Sequence, residues 1–102
     1  MKRTVQATKT FEYEIDIDDK LLNEEFVEDF ERSMWKLRGS SLEDKIDELF
    51  KVVAGQLANG EEYFIEGVGR CGNESTRYFW EKNGSVVTTF RENYQDTETE
   101  LL

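Results

Sequence analysis

The sequence predicts an α+β domain with the element order β-α-α-β-β-β, in which two antiparallel helices pack on one face of a mainly antiparallel four-stranded sheet. Three observations predict it. Residues 5–17 alternate apolar and polar, residues 22–57 carry two apolar runs at helical spacing, and residues 62–92 turn to glycine, aromatic and β-branched residues around an Asn-Gly pair. In the first segment the odd positions Val5, Ala7, Phe11, Tyr13, Ile15 and Ile17 oppose even positions ending in Glu12, Glu14 and Asp16, with Lys9 the one inward misfit. That is the pattern of a half-buried strand. Asp18-Asp19 stops it, and Leu22, Phe26, Phe30, Met34 and Leu37 predict a helix over residues 20–38, ended by Gly39. Ser40-x-x-Glu43 offers a capping box for a second helix carrying Leu42, Ile46, Leu49, Phe50, Val53 and Leu57 and closing before Asn59-Gly60.

The remaining elements are strands. Residues 62–70 read as one, with Gly67 and Gly69 marking a bulge or a close backbone approach. Asn83-Gly84 is a two-residue hairpin signal, which pairs residues 76–82 with 85–92. Residues 95–102, rich in acids, are expected to be a disordered tail on a single domain spanning 1–94.

Composition removes most enzyme chemistry. The 102 residues include no histidine and one cysteine, Cys71, so disulfide frameworks, Cys/His zinc sites and serine-histidine triads lack their raw material. No stretch approaches the roughly 18 apolar residues of a membrane span, and the first residues lead into a strand pattern instead of a signal core. A soluble protein of the host cytoplasm is expected, with no membrane partner. Asp16-Ile17-Asp18-Asp19 lacks the glycine and terminal Glu of a calcium loop, and Gly67-Val68-Gly69-Arg70 lacks the following helix of a phosphate loop. No metal or cofactor is expected. Arg70, Arg77, Lys82 and Arg91 lie among aromatic residues, but Glu66, Glu74, Glu81 and Glu92 cancel them, so direct nucleic-acid binding is not expected.

The charge is the informative feature. Asp and Glu outnumber Lys and Arg by 23 to 13, a net charge of −10. Residues 12–48 hold 14 of the acids and only five of the bases, so nine of the ten excess charges fall there. Glu12, Glu14 and Asp16 form a strand row, Glu24, Glu28 and Glu31 a stripe on the first predicted helix, and Asp44, Asp47 and Glu48 a stripe on the second. Trp35 falls about 135° from the apolar stripe, on the side of Glu28 and Glu31, where a tryptophan would anchor an interface. These ten residues are the candidate partner-binding set.

In size, acidity, lone cysteine and α+β layout the chain resembles the small acidic proteins with which phages and mobile elements inhibit host defence, the anti-CRISPR and anti-restriction inhibitors, several of which mimic DNA. The resemblance covers composition and the acidic segment, with no diagnostic motif. It implies an inhibitor without catalytic activity that occupies the basic site of a nucleic-acid-binding protein or nuclease complex. The competing readings are an immunity protein for a basic toxin nuclease, a homodimeric structural or assembly protein, and a carboxylate enzyme needing two acids of divergent pKa.

Overall fold

The computed structural model describes residues 1–60, 64–73 and 88–102. They form two α-helices and a four-stranded mixed sheet, an α+β arrangement. In chain order these are β1 (Val5–Ile17), a 3-10 turn (Asp19–Leu21), α1 (Glu24–Ser33), α2 (Leu42–Ala58), β2 (Phe64–Ile65), β3 (Gly69–Asn73) and β4 (Thr88–Leu101). The sheet order is β1-β4-β3-β2, with β1/β4 and β2/β3 antiparallel and β3/β4 parallel.

Helix α1 is shorter than its apolar period predicts. It starts at Asn23, whose side chain accepts from the Phe26 N–H at 2.9 Å, while Asp18 caps the 3-10 turn through the Lys20 N–H. It ends at Ser33, five residues before the expected stop at Arg38. The Leu37 N–H, which in a continuing helix would donate to the Ser33 carbonyl, donates instead to Glu31 Oε2 at 2.9 Å. Leaving the helix lets Leu37 bury itself and sets the Trp35 ring edge-on to Phe30 at 5.3 Å. Helix α2 keeps its expected length, but its cap is Ser41 over the Asp44 N–H, one residue beyond the expected Ser40-x-x-Glu43 box.

Where the sequence predicts one strand over 62–70, the described residues from Phe64 onward form two short strands, β2 and β3. Residues 66–68 turn between β2 and β3, with the Val68 N–H donating to the Ile65 carbonyl. Gly67, at φ +83°, lies against Phe30 and Met34, the close approach its glycine suggests. Of the expected hairpin, residues 76–87 lie outside the described residues. Thr88–Phe90 are hydrogen-bonded to β1 on one side and to β3 on the other. The 14 residues between β3 and β4 meet the dozen or so that a parallel connection requires.

The core joins Val27 and Phe30 of α1, Leu49, Val53 and Leu57 of α2, and Ile17, Ile65, Cys71 and Phe90 of the sheet. It covers only one end of β1. From Phe11 to Ile17 the odd positions are half-buried or buried and the even ones exposed, but from Val5 to Thr10 both faces are exposed. That outer half of β1 is held by residues 95–101, the segment expected to be a disordered tail, which runs as the outer half of β4 in register from Val5 opposite Leu101 to Phe11 opposite Gln95. The two form a ribbon beyond the core. The radius of gyration reflects it, 16.5 Å against about 13 Å for a compact chain of this length.

Candidate functional site

The β1/β4 ladder decides which carboxylates meet. Paired residues share a face, so the even side of β1 is joined by Glu100 opposite Gln6, Glu98 opposite Thr8 and Asp96 opposite Thr10. Beyond these come Glu12 opposite Tyr94, Glu14 opposite Arg91 and Asp16 opposite Thr89. Acids therefore descend β4 and then continue down β1. Along each strand they repeat about every 6.8 Å, and the step from Asp96 to Glu12 is a diagonal neighbour at about 7–8 Å. The six carboxylates make one evenly spaced row about 34 Å long. Asp96 is half-buried and the other five are exposed.

Sequence reasoning found Glu12, Glu14 and Asp16 and missed Asp96, Glu98 and Glu100. The signal was present as acids alternating with Thr97, Thr99 and Leu101, a period of two. No acid on this face sits directly opposite another. One is neutralised: Arg91 Nη2 donates to Glu14 Oε2 at 2.8 Å, and Arg91 Nε donates to Asn93 Oδ1 at 3.0 Å. Asn93 sits where the register shifts between Glu12 and Tyr13, so the bulge in β4 supplies the acceptor that orients Arg91.

The helical candidates divide. Glu24, Glu28, Asp44 and Asp47 are exposed and without ion-pair partners among the described residues. Glu31 departs from its stripe, because Lys45 Nζ donates to its Oε1 at 2.9 Å while its Oε2 holds the Leu37 N–H. Hydrogen bonding to Lys45 first, and then to that backbone amide, holds the Glu31 carboxyl below its ordinary value. It is a clamp between the end of α1 and the start of α2. Glu48 pairs with Lys51 at 2.9 Å. Trp35, about half exposed, lies in the irregular segment after α1 and keeps an open face beside its contact with Phe30. A shallow cleft of about 220 Å³ runs between α1 and α2, lined by Glu24, Glu28, Glu31 and Lys45 among others.

Among the described residues no group of three Asp, Glu or Cys side chains is placed to hold a metal ion, and no helix is long and apolar enough to cross a membrane. Cys71 is fully buried, and burial pushes its thiol up to about 11, which suppresses the nucleophilic thiolate. The chemistry that the described surface offers is a linear array of anionic oxygens on the β1/β4 ladder. Comparison with known protein families, with curated proteins and with solved structures finds no match to this chain.

Proposed function

We propose that this protein acts by binding and not by catalysis, as an acidic inhibitor in the host cytoplasm whose even β1/β4 face occupies the basic nucleic-acid site of a partner. The observation that carries the reading is the continuity of the six-carboxylate row across two strands. From Glu100 to Glu12 it carries one charge per about 6.8 Å, half the axial charge density of one DNA strand, which carries one per about 3.4 Å. Those four charges lie within the Debye length of about 8 Å of their neighbours at physiological salt, so their potentials merge into one field that steers a basic partner, while Arg91 neutralises Glu14 and leaves Asp16 about 14 Å from Glu12. In this reading the two helices lie antiparallel over the opposite face of the sheet and leave the carboxylate face open. Trp35 and the exposed acids of α1 and α2 form a second contact zone.

The partner class that fits is a nuclease complex of the anti-CRISPR or anti-restriction type of target, because its channel accepts a duplex. The test replaces Glu12, Asp16, Asp96, Glu98 and Glu100 with their amides, sparing the Arg91-paired Glu14. The tagged protein is used for capture from host lysate at low and then moderate salt, with duplex DNA as competitor. A nucleic-acid-binding protein should be captured by the wild type, released by salt and by duplex, and lost with the five amides. Capture that survives the substitutions, or that duplex DNA does not displace, refutes the proposal.

A further inference from the structure

The outer half of the β1/β4 ladder carries Asp96, Glu98 and Glu100, half of the carboxylate row, and takes no support from the core. Residues 5–10 of β1 and 97–101 of β4 are exposed on both faces, and none of their apolar side chains joins the core or packs against it. Support begins at Phe11. Its ring stacks on Tyr13 at 6.0 Å, and Tyr13 meets Phe90 of the core edge-on at 6.1 Å. The bulge in β4 falls at the same level, between the partners of Glu12 and Tyr13. Beyond it the ribbon is held mainly by its own ladder. The Leu102 N–H donates to the Thr4 carbonyl, so the even-numbered residues form the hydrogen-bonded pairs, Gln6 with Glu100, Thr8 with Glu98 and Thr10 with Asp96. A two-stranded ribbon without a packed face is marginally stable in water. Here the three acids share one face at about 6.8 Å spacing and repel, while Lys9 lies on the other face opposite Thr97. Among the described residues no ion pair crosses this part of the ladder.

We propose that this ribbon is an arm that opens from its tip to the bulge while the core stays folded, and that a basic partner surface closes it. Opening costs the core nothing, because no buried side chain leaves its place. Segments of this kind open locally at free energies far below that of global unfolding. The closed arm aligns three carboxylates on one face, whereas in the open chain their side chains are free to point apart. A basic surface therefore binds the closed arm more tightly, and that difference in affinity is what shifts the equilibrium. Neutralising the row also removes the repulsion that favours opening. The choice of a basic surface rests on the inhibitor reading above, while the opening of the arm follows from its lack of packing alone. The arm then adds half of the acidic row only where positive charge is present to hold it, and its apparent affinity is reduced by the fraction of chains that are open.

The test is amide hydrogen exchange of the full chain, read residue by residue by NMR at low salt. The bonded amides of the arm, from Gln6 to Thr10 and from Asp96 to Glu100, should exchange at least about a hundredfold faster than those of Leu49 and Val53 in α2, whose protection reports opening of the core. Raising the salt to about 500 mM screens the row and should slow the arm severalfold. Hexa-arginine at low salt should slow it at least about tenfold with no change at Leu49 or Val53, and hexa-glutamine should do nothing. The triple variant Asp96→Asn, Glu98→Gln, Glu100→Gln should exchange more slowly than the wild type without peptide and be indifferent to hexa-arginine. Arm amides as protected as Val53, or opening confined to Gln6 and Glu100 with Thr10 and Asp96 protected, would overturn the proposal. So would an arm that hexa-arginine leaves unchanged, or that both peptides or the triple variant close equally well. None of these readouts uses a captured partner. An arm closed by hexa-arginine beside a failed capture refutes the inhibitor reading alone, and an arm that never opens refutes only this inference.

Discussion

Gly67→Ala tests whether the β2–β3 turn is locked onto α1. Gly67 has φ +83°, and a Cβ built there would sit 2.7 Å from Phe30 Cε2, 2.8 Å from Phe30 Cδ2 and 2.8 Å from Met34 Cγ. Two costs add. A left-handed conformation costs a residue with a Cβ roughly 1–2 kcal/mol, and forcing a methyl into filled space costs roughly 1–3 kcal/mol. Met34 is half-buried and can shift, but Phe30 is fully buried and cannot. The sum is about 2–5 kcal/mol, which for a domain of this size lowers Tm by roughly 8–40 °C at about 4–8 °C per kcal/mol. Gly60→Ala is the control, since Gly60 has φ +94° but no atom within 4 Å of its would-be Cβ. It should lose only the backbone part, roughly 4–16 °C. Thermal denaturation followed by circular dichroism reads both. If Gly67→Ala melts no lower than Gly60→Ala, the turn does not pack on Phe30 and the account of why residues 62–70 break into two strands fails.

Two further predictions concern titratable groups. Glu31→Gln should lower stability at neutral pH, because the clamp on Lys45 and Leu37 is lost. The native carboxyl titrates below its ordinary value of 4.5, so its contribution is present above that pH and disappears as pH falls through the lowered native value. Urea midpoints of wild type and variant should therefore differ at pH 7 and converge in acid, and a gap that persists in strong acid would contradict the clamp. Cys71, buried and with its thiol pushed up to about 11, should resist a thiol-specific chromogenic reagent at pH 8 and react with one equivalent after unfolding. Rapid labelling of the native protein would show that Cys71 is open to solvent.

How far the sequence discloses this fold depends on whether the deciding contact is local. The alternation of β1 and the period of α2 are properties of neighbouring residues, and both elements lie where periodicity puts them. The end of α1 is set by Glu31 reaching six residues along the chain to the Leu37 N–H. Met34 and Leu37 keep the apolar spacing of a helix, so periodicity alone runs through a stop made by a side chain. The pairing of Thr88–Phe90 meets a different limit, because their partners in β1 lie some 70 residues away along the chain. Alternation in β1 likewise says which side chains share a face but not where the core ends, so the bare ribbon from Val5 to Thr10 is invisible until the helices are in place.

The acidic face shows the same dependence. Along the chain the excess charge belongs to residues 12–48, and by that measure the C-terminal acids are scattered. In space ion pairs on the helices remove Glu31 and Glu48 from the free carboxylates by joining them to Lys45 and Lys51, and the β1/β4 ladder adds Asp96, Glu98 and Glu100 to the row begun by Glu12 and Asp16. Two unit charges about 6.8 Å apart in water repel by about 0.6 kcal/mol before screening, so the unpaired acids of the row gain nothing for folding from one another. The placing of acids opposite residues other than acids across the ladder keeps like charges from facing each other, while the spacing from Glu100 to Glu12 keeps their fields joined. A surface arranged only for solubility has no need of the second property, since scattered charges serve as well. The ordered spacing, more than the net charge, is what a basic groove could recognise.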